Sequence, residues 1–122
     1  ERDGLQGRRV LIKIDVEGGE LGVLQGAETT LLRHQPLLLF EVNVFCLWRY
    51  GRTLPQDLLA WVRQRYSHTA AIDNEGTVTH IEGDATVNHV LHLLGTGSGV
   101  IDVIASNEPI GVTTNNLRSD AP

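Results

Sequence analysis

The sequence predicts an α/β fold built around a parallel βαβ unit, and three observations carry that expectation. "VLIKI" (10–14) and "PLLLFEVN" (36–43) are near-continuous apolar runs of strand length, the pattern of strands buried on both faces in a parallel sheet. Between them, Leu21, Leu24, Ala27/Glu28 and Leu31 recur at spacings of three and four, which is one apolar stripe of a helix. Strand, helix and strand in this order nearly always close right-handed with the two strands parallel.

Each element follows from local chemistry. Residues 1–9 are polar and contain glycine, so they read as an N-terminal loop. The first strand starts at Val10; Lys13 interrupts it and is expected to run its stem along apolar surface. The helix ends near His34, before Pro36. Gly22 and Gly26 weaken it by about 1 kcal/mol each relative to alanine, which points to close packing against the sheet. After the second strand, Trp48 and Tyr50 fall in an expected loop over the strand ends. "LPQDLLAWVRQRY" (54–66) then predicts a second helix, with Thr53 as N-cap and Pro55 in the first turn. "TAAIDNEGTVTHIEG" predicts a hairpin around Asn74-Glu75-Gly76, "TVNHVLHLL" a short helix and "GVIDVIASN" a last strand. The main body is expected to span residues 10–109, with 110–122 a polar tail lacking any period.

Bulk properties narrow the function. At 122 residues the chain is sized for one domain. Its formal charge of −5, with no Lys/Arg cluster, excludes an electrostatic footprint for nucleic acid. No apolar run approaches the ~20 residues of a membrane span, and Cys46 is the one cysteine, so no internal disulfide is available. A soluble, cytoplasmic protein is the expectation.

The chemistry concentrates at the strand ends. Asp15 follows the first strand and Glu41 closes the second, with Asn43 two residues on and on the same pleat face. In an open α/β sheet, ligands bind outside the carboxyl ends of the strands. Glu17 and Glu20 fall in the turn and first helical turn, where the helix dipole favours acids; for Glu20 this placement alone is a sufficient account. Glu41 inside an apolar run is harder to explain, because burying an unpaired carboxylate costs several kcal/mol.

These residues carry a resemblance. The stretch "IKIDVEGGELGVLQGAETTLLRHQPLLLFEVN" resembles the FkbM-type methyltransferases in nine positions, in order: Asp15, Glu17, Gly18, Glu20, Leu24, Gly26, Ala27, Pro36 and Glu41. The resemblance implies a Rossmann-like sheet of seven strands in which these two are the fourth and fifth, and use of S-adenosylmethionine. It implies methylation of a hydroxyl on a sugar, polyketide or related small metabolite. Asp15 and Glu41 are then the expected catalytic residues, with Glu17 and Asn43 near the hydroxyl acceptor. Such enzymes hold the cofactor on a glycine-rich turn and an acidic residue that belong upstream of Val10. The chain therefore resembles the C-terminal half of such a domain, and no cofactor-binding residue is assigned. A catalytically inert half-domain serving as a scaffold or partner module is the alternative. A complete small binding domain sharing the nine positions by chance is the remaining one.

Other motifs are weaker. "GTGSGV" (95–100) follows a helix pattern and precedes a strand, the wrong order for a cofactor loop, so Gly95, Gly97 and Gly99 read as a helix end and connector. His89 and His92 lack a third ligand and His34 suits a helix C-terminus, so no metal is assigned. Cys46 reads as a small buried residue. A half sheet leaves Val10–Ile14 as an edge, predicting a homodimer through that strand or cover from residues 1–9.

Overall fold

The computed structural model describes residues 10–111. The expected N-terminal loop, 1–9, and most of the expected tail, 112–122, lie outside the described residues. In chain order the elements are β1 (Leu11–Ile14), α1 (Glu20–Gly26), α2 (Glu28–His34), β2 (Leu37–Asn43), α3 (Val44–Gly51), α4 (Pro55–Arg63), β3 (His68–Ile72), β4 (Val78–His80), α5 (Asp84–Thr96) and β5 (Val100–Ser106). The strands form one sheet in the order β1-β2-β5-β3-β4. β1 and β2 are parallel, in the expected βαβ unit, and β5 runs antiparallel between β2 and β3. This mixed α/β arrangement is compatible with a partial Rossmann-like fold.

The helices cover one face of the sheet. Leu38, Phe40 and Val42 of β2 and Ile101, Val103 and Ala105 of β5 are buried there, in one core with Leu24, Leu31, Leu47, Leu58, Leu59, Val62 and Leu94. The alternate residues of β2, Leu37, Leu39, Glu41 and Asn43, point to the other face and retain solvent contact. β2 is therefore not buried on both faces as its composition suggests, because no helix among the described residues covers that side. β1 likewise lies at the sheet edge with Leu11 and Lys13 exposed.

Four local expectations are corrected. The 20–34 helix is bent at Ala27 (φ −98°, ψ 8°), although Ala27 N–H still donates to Val23 and Leu31 N–H to Ala27. Gly22 and Gly26 are exposed, and a Cβ at either would meet nothing within 4 Å, so close packing is not why they are glycine. Residues 44–51 form helix α3 in place of a loop; the Asn43 side chain caps it by accepting from Cys46 N–H at 3.0 Å, and Leu47 anchors it in the core. Thr53 is not an N-cap: its hydroxyl donates back to the Gly51 carbonyl, and Leu54 precedes Pro55 at the start of α4.

The remaining elements form as their residues dictate. Asp73 Oδ1 accepts from Glu75 and Thr77 N–H while Gly76 takes φ +81°, which closes the hairpin. Thr86 Oγ1 accepts from Glu82 and Gly83 N–H at the start of α5. Arg65 lies over the Trp61 ring and pairs with Glu28, tying the end of α4 to α2. The buried Tyr66 hydroxyl has no hydrogen-bond partner among the described residues, and burial pushes its pKa up to about 12.

Because nothing occupies the space beside Gly22, Gly22→Ala is expected to raise stability by up to about 1 kcal/mol. Urea unfolding of the two chains measures this; a loss of stability would show that the glycine has a packing role after all.

Candidate active site at the strand ends

The turn after β1 is organised by Glu20. Its buried carboxylate accepts from Gly18 N–H at 2.9 Å and from Val16 N–H at 3.2 Å, so the acid satisfies the turn's own donors. Glu17 and Gly18 both take positive φ, +48° and +105°. Gly18 is further required by contact: a Cβ there would lie 2.2 Å from the Cys46 carbonyl oxygen of α3, and one on Gly51 would lie 2.3 Å from the Gly18 carbonyl oxygen. Turn and helix thus meet backbone to backbone, which leaves Asp15 and Glu17 exposed beside them.

Glu41 lies within β2, two residues before its end, and does not close the strand as its position in the sequence suggests. It pairs directly with Asp102 of β5, so both side chains occupy the open face of the sheet. Asp15 stands one residue beyond the Ile14–Phe40 pair of β1 and β2. Burial raises the Glu41 pKa above the usual glutamate value, and the charges of Asp102, Asp15 and Glu20 raise it further; a hydrogen bond from the Asn43 side chain opposes them. The structure thereby brings Asp15, Glu41 and Asn43 together, with Glu17 at the neighbouring turn. Asp102 was not anticipated. An acid in the middle of "VIDVIAS" was its signal, but only the placement of β5 beside β2 gives it a partner.

Cys46 is half-buried, and burial together with Glu17, Glu20 and Glu41 pushes its thiol up, so it stays protonated near neutral pH and is a poor nucleophile. Among the described residues, no group of three or more His, Cys, Asp or Glu side chains is placed to hold a metal ion. His89 and His92 are exposed on α5. Gly95 lies within α5, Gly97 caps it by donating to the Leu93 carbonyl, and Gly99 takes φ +79° in the connector to β5, as expected.

A cleft of about 570 Å³ opens at the opposite end of the strands, between Leu11, Leu37 and Ile104 and the 107–110 segment. Its lining shares no residue with the carboxylate group.

Two outcomes are expected here. Glu20→Ala leaves two turn N–H groups unpaired and should cost about 2–4 kcal/mol in denaturant unfolding; an unchanged midpoint would refute its anchoring role. Glu41→Gln should be more stable than the native chain at about pH 7. With the folded pKa raised, the native state binds more protons than the unfolded one between the ordinary and the raised value. Stability then falls as pH rises through that window, and the penalty is complete above it. The advantage of Glu41→Gln should vanish below about pH 4 in melts across pH; a variant less stable at neutral pH would contradict this.

No curated protein and no solved structure matches the chain, and no helix among the described residues is long and apolar enough to cross a membrane. The model of the methyltransferase FkbM domain, in contrast, matches residues 4–68, just over half of the chain. That match spans the Glu20-anchored turn, Glu41 and the α3 and α4 helices. The chain belongs to the FkbM methyltransferase domain family.

Proposed function

We propose that this segment supplies the acceptor side of an S-adenosylmethionine-dependent O-methyltransferase acting on a small hydroxylated metabolite or sugar. The observation that carries the reading is the placement of Glu41 on the open sheet face, directly opposite Asp102 and beside Asp15, where burial and these charges push its pKa up. A carboxylate moved toward neutral pH is a better proton acceptor than an ordinary one. Glu41 takes the proton of the acceptor hydroxyl, Asp15 orients that hydroxyl, and Asn43 and Glu17 flank it. Positioning supplies much of the remaining rate.

Family membership suggests S-adenosylmethionine as methyl donor, but the described residues do not form a cradle for it. The strand–glycine turn–helix junction of β1 and α1 resembles a cofactor loop, yet its Val16 and Gly18 N–H groups are already taken by Glu20. The other glycine-rich run, Gly95–Gly99, follows a helix and leads into a strand. The roles assigned here therefore concern the acceptor alone. A homodimer formed through the β1 edge belongs to the same proposal; β1 has no strand on its outer side among the described residues.

The test is methyl transfer from labelled S-adenosylmethionine, with binding of S-adenosylhomocysteine followed by calorimetry on the same samples. Asp15→Asn and Glu41→Gln are expected to lower the rate by about 10²–10⁴ while leaving cofactor affinity intact. Full activity in both variants would overturn the reading.

A further inference from the structure

Half of the aromatic residues of this chain lie in one eight-residue helix, α3, and all are exposed: Phe45 by 69%, Trp48 by 53% and Tyr50 by 65%. Isolated exposed aromatics are ordinary, but such a concentration is characteristic of a binding surface. Helical spacing puts Phe45, Trp48 and Arg49 on one side, away from buried Leu47, and Arg52, the C-cap in the left-handed conformation, turns back to donate to the Trp48 carbonyl. The Arg52 guanidinium lies 5.5 Å from the Trp48 ring and that of Arg49 5.5 Å from the Tyr50 ring.

A second site in the molecule shows what is missing. At Trp61 the arginine stacked on the ring, Arg65, is completed by the Glu28 carboxylate. Arg49 and Arg52 form no ion pair among the described residues, although the chain carries an excess of acids, with a formal charge of −5. The helix also borders the carboxylates: it follows Asn43 directly, and its Cys46 carbonyl and Gly51 pack on the turn at Gly18. A ligand reaching from Glu41 to this helix would meet carboxylates at one end and, at the other, aromatic rings with two guanidinium groups that meet no carboxylate among the described residues, Arg52 donating only to the Trp48 carbonyl at 3.3 Å.

We infer that α3 is an acceptor platform for an anionic sugar, whose ring lies on the exposed aromatics and whose carboxylate or phosphate pairs with Arg49 and Arg52. The charge complementarity decides the class, since a neutral sugar would leave both guanidinium charges without a counter-ion. This rests on the hydroxyl-acceptor reading above, which it refines.

Binding can be read without the methyl donor. In a Trp61→Phe chain, Trp48 is the sole tryptophan, and its fluorescence can be titrated with methyl β-glucuronide, glucose 6-phosphate and neutral methyl β-glucoside at low salt. A saturable response is expected for at least one anionic sugar, roughly tenfold or more tighter than for the glucoside, and weakened by salt. The glucuronide and phosphate arms tell carboxylate from phosphate. Arg49→Gln with Arg52→Gln should bring the anionic and neutral sugars to parity. Equal response to all three sugars, no response to any, or a response only to anionic phospholipid vesicles would each overturn the platform. None of these outcomes bears on the methyl-transfer losses expected at Asp15 and Glu41, so the two readings fail separately.

Discussion

The carboxylate of Glu20 is the constraint on which the site depends. By accepting from Val16 and Gly18 N–H it converts an acid-rich loop into a fixed turn. That turn approaches α3 so closely that neither Gly18 nor Gly51 has room for a side chain. The neighbouring residues are placed relative to this contact. Asp15 and Glu17 are left outside it, and Cys46 is held against it. The exposed residues of α3 are set beside the carboxylates by the same clamp.

The acids therefore divide by role, although they lie close together in the chain. Glu20 is buried and bonded to backbone, so its charge is used in folding. Glu41 is held where burial and like charges disfavour ionisation, opposite Asp102 on the neighbouring strand. Directly opposed like charges destabilise a sheet. The pair therefore costs stability, and under the proposed function it would serve proton transfer from an acceptor hydroxyl. The chain belongs to the FkbM methyltransferase domain family through residues 4–68, a match that includes Glu20 and Glu41 but not Asp102.

Much of this was legible in the sequence, for identifiable reasons. The βαβ unit, hairpin and closing strand could be read because apolar runs and turn residues such as Asp73 and Gly76 act locally. α3 is hidden in the sequence because "VFCLWRYG" has only one fully buried residue, Leu47, and its cap, Asn43, is also read as a candidate site residue. The continuous apolarity of β2 suggested two covered faces, but periodicity records composition and not which neighbours are present. Gly22 and Gly26 suggested packing that the helix does not make. Asp102 was invisible because it acts across strands separated by 61 positions from Glu41, and only sheet order connects them.

The most direct test of the central claim is a carbon-13 NMR titration of the Glu41 side-chain carboxyl, in the native chain and in Asp102→Asn. Glu41 is expected to show an apparent pKa above the usual glutamate value in the native chain, and a lower one once Asp102 loses its charge. A Glu41 that titrates at or below the ordinary value, or one indifferent to Asp102, would contradict this. The open face would then hold an ordinary surface acid, and the case for Glu41 as the proton acceptor would fall with it.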